Sequence, residues 1–348
     1  MLRFLKNWTL PVAIVVGATL YLLFAYVPAL DSAAAVLGPV CETIFPVSVF
    51  ATLFVTFSKV DFHLMRLRRW HGAVLFTQLA YIALMTWFIY ESQHLTALPE
   101  RVVLFDTFSL RDVIFVLEAV LTCVIAPCAS ASPVVTAKLG GDLTQMTTFV
   151  LLSSFVTSLL IPAVFPVIEP HQGATFLSAF LVILRKVAVV LLLPLLLGAI
   201  VRHGVKPLYE WIVRTPDLGF YCWCFSLAIT AGITVKNIVH SRASLPLLVA
   251  IAVLSLLTAL WQFRTGRFIG HRFGEPICAG QAMFQKNTAL AIWVAYMYLT
   301  PVASIGAGCY VLWQNLLNSF ELWQHRRHDA PAPCTTASPT AWKRSRRP

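Results

Sequence analysis

The chain has 348 residues, of which 58% are hydrophobic and only 12% are charged, and its mean hydropathy is +0.77. This composition excludes a disordered chain and an ordinary soluble protein, in which about a quarter of the residues are charged. The net charge of +11 does not indicate a nucleic-acid partner, because the basic residues are spread over loops between apolar segments. We therefore predict an all-α polytopic membrane protein whose partner is the lipid bilayer.

Ten stretches have the length and hydropathy of membrane-spanning helices. They lie at about 9–30, 36–57, 71–92, 110–136, 144–168, 177–201, 217–237, 244–263, 275–298 and 301–323. Because nothing is left for a soluble domain, residues 1–323 are predicted to form a single ten-helix domain. The remaining segment, 324–348, is rich in Pro, Ser, Thr and basic residues, and we expect it to be a disordered tail.

The basic residues are distributed unevenly over the two sides of the membrane. With the amino terminus inside, 19 of the 26 Lys and Arg residues lie on the inner side, six on the outer side, and one, Lys286, deep within a span. This asymmetry predicts an inner (plasma) membrane protein whose termini, including the basic tail, are both cytoplasmic. We expect the basic loops to contact anionic lipid headgroups.

The ninth predicted span contains a polar stretch, Gly280 to Ala291, which reads GQAMFQKNTALA. Its polar members are Gln281, Gln285, Lys286, Asn287 and Thr288. An ionisable group at this depth costs a few kcal/mol or more unless it faces a partner or a water-filled cavity. The stretch is therefore predicted to be a functional site.

The fourth predicted span is interrupted by Pro127 and Pro133, which enclose Cys128 and four small residues that include Ser130 and Ser132. Since proline lacks a backbone donor, we expect the helix to break here, beside protein or a polar cavity. The hydroxyl-rich start of the fifth span indicates either close helix packing or a lining of the same site. Gln78, the lone amide of the third span, is either an interhelical hydrogen-bond donor or a ligand.

The two predicted breaks lie about 150 residues apart, each one span before the end of a five-span half. Halves of about 1–170 and 171–323 have opposite orientations in the membrane, because five is an odd number. This arrangement is typical of inverted repeats, in which two broken helices meet at mid-membrane and their ends form an ion or anion site.

The sequence resembles the bile acid:sodium symporter family at several places in the same order. The run 127–136, PCASASPVVT, followed by Gly141 and Asp142, is similar to that family's PGGTASNVVT and glycine-acid pattern. Residues 286–291 resemble its QN-S-G-L-A core in the ninth helix, and YVLWQNLLNS at 310–319 is similar to its SVWHN segment. The resemblance covers the chain to about Trp323, which suggests a divergent, bacterial-type member.

The resemblance implies a ten-helix fold with a panel and a core, in which helices 4 and 9 cross beside two sodium ions that drive uptake of organic anions. The family's sodium ligands match this chain only in part. Ser132, Asn287 and Gln78 fit, whereas the following Asn is Pro133 and the helix 5 hydroxyls fall at Met146 and Val150. The binding Glu falls near Gln281 or Ala282, and the Gln before the Asn is Lys286.

Sodium needs hard oxygen ligands, which alkyl, thioether and ammonium groups do not supply. A lysine about 4 Å away would also repel a cation by about 4 kcal/mol at an effective dielectric constant near 20. We therefore predict that the two-sodium sites are degraded and expect no other cofactor. The candidate substrate- or ion-binding residues are Gln78, Ser130, Ser132, Pro133, Gln281, Gln285, Lys286, Asn287 and Thr288.

Three interpretations of Lys286 stay open. Its ammonium replaces a sodium ion and attracts an anionic substrate, or it releases a proton that couples to transport. Alternatively it is structural, either paired with Glu118 or Glu42 or extended to an interface. The substrate is equally open between a bile-acid-like amphiphile and a short carboxylate, and the nearby aromatic residues Phe284, Trp293 and Tyr296 fit both.

Other classes of function are less well supported by the residues. The histidines form no HExxH pattern, and we expect no enzyme. Cys128 beside the first break leaves a metalloid exporter of the arsenite type as an alternative, and a decayed site leaves a membrane sensor without transport as another. The sequence does not indicate the oligomeric state.

Overall fold

A computed structural model describes residues 9–59, 65–95, 109–169, 175–215, 218–241 and 243–329. Within these ranges the chain is all-helical and contains no β-strand. The α-helices in chain order are α1 Thr9–Tyr26, α2 Asp31–Ser58, α3 Arg69–Leu95, α4 Leu110–Ile125, α5 Ser132–Lys138, α6 Leu143–Ile168, α7 Phe176–Gly204, α8 Lys206–Arg214, α9 Leu218–His240, α10 Leu245–Phe273, α11 Pro276–Phe284, α12 Thr288–Tyr298 and α13 Pro301–Asp329.

The helices coincide with the apolar segments of the sequence. Each predicted segment falls on one helix or on two consecutive helices, and the fourth and ninth segments are the divided ones, as α4 with α5 and α11 with α12. Among the described residues, five helices are long and apolar enough to cross a membrane, namely α3, α6, α7, α9 and α10. A sixth crossing results if 12–26 and 28–41, which meet at 97°, form one bent span.

Helix ends are defined by local hydrogen bonds. Ser109 and Asp112 form a capping box at the start of α4, in which Asp112 N donates to Ser109 Oγ at 3.2 Å and Ser109 N donates to the Asp112 carboxylate at 2.9 Å. Asp142 accepts from the first backbone N–H groups of α6. The left-handed Gly274, with φ of 77°, ends α10 and turns the chain directly into α11.

Contacts divide the helices into two groups. One group contains α1, α2, α7 and α9, in which α9 packs on α1 and α2, and α2 packs on α7. The other contains α3 to α6 and α10 to α13, in which α11 packs on α10, and α13 packs on α4, α10 and α12. The groups meet most extensively where α7 packs on α6, and also where α9 contacts α12 and α13 and where α2 contacts α12.

The outer faces of the helices carry large apolar side chains that no other helix covers, such as Phe76, Val182, Leu196 and Val249. A surface of this kind is stable in hydrocarbon and not in water, which agrees with a membrane location. The carboxyl end differs from the prediction in one respect. Helix α13 continues to Asp329, past the expected end at Trp323, and residues 330–348 of the predicted tail lie outside the described ranges.

Candidate functional site

The first break lies at residues 126–131, between the end of α4 and the start of α5. Pro133 stands in the first turn of α5, where its missing N–H leaves no helical bond unmade. Ser132 Oγ donates to the carbonyl of Ala129 at 2.6 Å, and Cys128 N donates to Ser153 Oγ of α6 at 3.1 Å. Neutral hydroxyl groups thus satisfy the backbone that the prolines release.

The second break lies at residues 285–287, between α11 and α12. Asn287 caps α12, because its Oδ1 accepts from Leu290 N at 3.1 Å. Both ends of the break are buried: Gln285 is 1% exposed and Lys286 is 2% exposed. The polar stretch of the ninth segment is therefore an interrupted helix inside the protein, as its composition predicts.

The two breaks are hydrogen-bonded to each other. Ala129 N donates to the Gln285 carbonyl at 3.0 Å, and Asn287 N donates to the Pro127 carbonyl at 2.9 Å. These two bonds form an antiparallel β-bridge between Cys128 and Lys286. The broken helices therefore cross in contact, and each supplies backbone partners that the other lacks.

The amide side chain of Gln314 in α13 binds the main chain of the second break. Lys286 N donates to Gln314 Oε1 at 2.7 Å, and Gln314 Nε2 donates back to the Lys286 carbonyl at 3.3 Å. Both backbone polar groups of Lys286 are thereby satisfied without any use of its side chain.

The side chain of Lys286 is buried without a polar partner. Its Nζ forms no hydrogen bond or ion pair with any residue in the described ranges. Glu118 accepts instead from Thr300 Oγ1 at 3.2 Å, so the interpretation of Lys286 as the partner of Glu118 is wrong. The interpretation that Lys286 extends to an interface is also wrong, since the side chain is enclosed. The side chain of Glu42 lies outside the described part of the chain.

Lys286 lines a cavity of about 20 Å³ between the two helix groups. The breaks contribute Ala129, Ser130, Lys286, Asn287, Thr288 and Ala289; α2 contributes Val49 and Thr52; and α9 contributes Trp223, Ser226, Leu227 and Thr230. A volume of this size holds about one water molecule, so no organic ion fits in the present conformation. The lining is mixed: Thr52, Ser226 and Asn287 contribute hydroxyl and amide groups, and Val49, Trp223 and Leu227 contribute apolar surface.

A second cavity of about 90 Å³ lies farther along the same boundary, between α2, α9 and α12. Trp293 and Tyr296 line it, as does Asn237. Phe284, the other aromatic residue expected near the site, is fully buried and packs against Phe263 instead.

A chain of polar side chains lies behind the second break. Gln285 Nε2 donates to Gln281 Oε1 and to Asn318 Oδ1, the latter at 3.1 Å. Gln281 Nε2 in turn donates to the Glu321 carboxylate at 2.6 Å, and Glu321 forms an ion pair with Arg267. The amides of α11 are thus engaged with α13 and do not line the cavity.

The structure brings four of the nine predicted site residues together at the first cavity: Ser130, Lys286, Asn287 and Thr288. Gln281 and Gln285 belong to the polar chain, and Ser132 and Pro133 stabilise the first break. Gln78 Nε2 donates to the Met283 carbonyl at 3.4 Å, which is the interhelical role expected of a lone amide.

Two positions that the resemblance gave as sodium-ligand sites, Met146 and Val150, are fully buried apolar residues in α6. Of the hydroxyls at the start of this helix, Ser153 alone reaches the first break within the described residues. Thr147, Thr148, Ser154 and Ser158 bond to backbone carbonyls of their own helix.

The side of the cavity formed by α2 and α9 was not predicted from the sequence. Ser226 Oγ bonds to Ser48 Oγ at 2.9 Å and lies 3.5 Å from Thr52 Oγ1, so the two helices meet through hydroxyl groups. A signal was present in the sequence, because Ser226, Thr230 and Thr234 recur every four residues and mark one polar face of a helix.

The sodium bile acid symporter family matches residues 49–241, more than half of the chain, including the first break but not the second. A search of curated proteins finds no match. The helical fold, the lipid-compatible surface and this match agree, and the chain belongs to the sodium bile acid symporter family, whose members are membrane transporters rather than enzymes.

Proposed function

We propose that this protein is a secondary active transporter of a small organic anion and that Lys286 supplies a fixed positive charge to the binding site. The observation that carries the proposal is the Nζ of Lys286, which is buried at the edge of this small cavity without a partner in the described residues. A buried, unpaired ammonium group is costly in a protein interior. An anion in the cavity removes that cost.

The positive charge of Lys286 determines both the sign and the size of its interaction with an ion in the cavity. At a separation of about 4 Å and an effective dielectric constant near 20, an ammonium group attracts a carboxylate by about 4 kcal/mol and repels a cation equally. The same charge therefore favours an anionic substrate and disfavours sodium at this position. Met146 and Val150, which offer no oxygen ligand, support a transport cycle that runs without the two sodium ions.

The lining of the cavity supports a short, polar carboxylate over a bile-acid-like amphiphile. Thr52, Ser226 and Thr230 contribute hydroxyl groups from α2 and α9, which bind polar substituents, and the apolar side chains beside them border a space too small for a bulky ligand. Substrate enters only after α2 and α9 separate from the breaks, because the closed cavity holds about one water molecule. This requirement fits alternating access, in which one helix group moves against the other.

The proposed topology has ten spans in one domain, arranged as two inverted five-helix repeats with crossed helices 4 and 9. The excess of Lys and Arg on one side supports an inner-membrane protein with cytoplasmic termini. The contact between the two broken helices supports the inverted arrangement.

Purified protein tests the proposal in two stages. Thermal stabilisation in detergent is first measured with lactate as a short hydroxycarboxylate and with taurocholate as an amphiphile. Uptake of the stabilising compound into proteoliposomes is then followed in sodium, in choline and after an imposed pH step. We expect uptake in choline, and a loss of at least about tenfold in Lys286→Met, given the attraction of about 4 kcal/mol calculated above.

Lys138→Met is the matched control, because Lys138 is an exposed lysine on α5. Strict sodium dependence would overturn the sodium-free cycle, and full uptake by Lys286→Ala would overturn the role of the lysine. An uptake rate that changes with the imposed pH step would show instead that transport is coupled to a proton at this site. Stabilisation without uptake would indicate a sensor.

A further inference from the structure

The carboxylate of Glu321 is the charged centre of the polar chain behind the second break. Its side chain is 12% exposed, and its two oxygens have different partners: Arg267 binds one and Gln281 Nε2 binds the other. The chain continues through Gln285 to Asn318. A carboxylate buried this deeply within a helix bundle requires a positive charge beside it.

Arg267 reaches Glu321 through a space that two glycines leave open. A Cβ atom on Gly280 would lie 2.9 Å from Cδ of Arg267 and 3.0 Å from its Cγ. A Cβ atom on Gly266 would lie 2.6 Å from the Ala279 carbonyl oxygen, so α10 and α11 approach closely at the same level. The arginine stem therefore crosses α11 only because residue 280 has no side chain.

The remaining oxygens around Glu321 have the chemistry of a cation site. Gln281 Oε1 and Asn318 Oδ1 both accept from Gln285 Nε2, so these two amide oxygens belong to the same polar chain as the carboxylate. A carboxylate with neutral amide oxygens is a hard donor set that suits a small dissolved cation. In this chain the guanidinium group of Arg267 supplies the positive charge at the Glu321 carboxylate.

We propose that Arg267 is a tethered cation that neutralises Glu321 permanently, so that the polar chain behind the second break needs no dissolved ion. Without Arg267, the Glu321 carboxylate and the nearby amide oxygens bind Na⁺. The inference depends on the surroundings of Arg267 alone. Failure of anion transport at Lys286 would leave it intact, and its own failure would leave the transport proposal intact.

The test measures the thermal unfolding of full-length protein in detergent with NaCl, KCl or choline chloride at equal ionic strength. Wild-type protein is expected to unfold at the same temperature in all three salts. Arg267→Met is expected to unfold several degrees lower in choline, and its midpoint rises with NaCl concentration as for a specific ligand. Arg267→Met/Glu321→Gln removes both charges and is expected to be insensitive to Na⁺.

Two further variants keep the proposal testable if Arg267→Met does not fold. Gly280→Ala pushes the arginine stem away from α11 and is expected to acquire a weaker response to Na⁺. Arg264→Met is the matched control, since this exposed arginine lies one turn away on the same helix, and it is expected to behave like wild type.

A midpoint of Arg267→Met that is the same in Na⁺ and choline would overturn the proposal. A response to Na⁺ that persists in the double variant would also overturn it, because the cation would then bind elsewhere than at Glu321. A response in Arg264→Met equal to that of Arg267→Met would show a general salt effect and would overturn it as well.

Discussion

The two breaks differ in how their free backbone groups are hydrogen-bonded. At the first break the released backbone groups bond to neutral neighbours, Ser132 Oγ with the Ala129 carbonyl and Ser153 Oγ with Cys128 N. At the second break the main chain of Lys286 is held by Gln314 from a distant helix, and its side chain is left without a partner. The first break thus contains no charged group, whereas the second contains the ammonium group of Lys286, which has no partner in the described residues.

Under the proposed function, this difference distinguishes a structural break from a functional one. A fully satisfied break contributes stability, because every buried polar group has a partner. An unsatisfied charge at the other break lowers stability and persists only where function requires it. Changes at the first break should therefore lower stability, while removal of the charge at the second should raise it. Loss of the two hydrogen bonds between Gln314 and the main chain of Lys286 should have the largest effect on stability.

Gln314→Leu is expected to give the largest effect. The N–H of Lys286 loses its partner, its carbonyl keeps only the bond from Thr288 N, and a buried, unsatisfied group costs about 1–3 kcal/mol. We expect a loss of unfolding free energy of about 3 kcal/mol, measured by chemical denaturation in detergent micelles. Ser319→Ala is the control, because its hydroxyl bonds to a carbonyl of its own helix. Equal losses of stability in the two variants would contradict the role of Gln314 in stabilising the second break.

Lys286→Met is expected to stabilise the protein by about 1–3 kcal/mol, since it replaces an unpaired buried charge with an apolar chain of similar length. The same denaturation measurement, without substrate, checks the sign. A loss of stability of this size would show that the ammonium has a partner in the folded protein and would remove the contrast between the breaks.

Ser153→Ala is expected to have the smallest effect, a loss of about 1 kcal/mol, because one backbone N–H of the first break loses its acceptor. The neighbouring Ser154→Ala is the matched control. Its hydroxyl bonds only to Val150 of its own helix in the described residues, and we expect a smaller change. Hydrogen exchange at Cys128 N should rise in Ser153→Ala alone, and unchanged exchange there would contradict the assignment.

Local chemistry explains what could be predicted from sequence. Pro127 and Pro133 located the first break because proline removes backbone donors, and the run from Gln281 to Thr288 located the second because hydrocarbon does not tolerate it. Positions of the apolar helices followed from their length and composition. These features depend on residues that are neighbours in the chain, so they could be read without a structure.

Long-range partners could not be predicted in the same way. Arg267 and Glu321 are 54 residues apart, and each stands near the end of an apolar segment, where a charge is usually solvated. The side of the cavity formed by α9 was missed for a different reason, since Ser226 and Thr230 also fit ordinary helix packing. The interpretation of Lys286 as the partner of Glu118 was wrong, because the distance between side chains on different helices cannot be predicted from their positions in the chain.

Gln314 recognises the main chain of residue 286 and not its side chain, which has an evolutionary consequence. A single substitution at this position exchanges an amide, an alkyl group or an ammonium while the anchor to α13 is retained. Charge at the centre of the protein is thus a trait that can be gained or lost in one mutational step without a new fold. Descendants of one ancestor could in this way diverge in the ion they require.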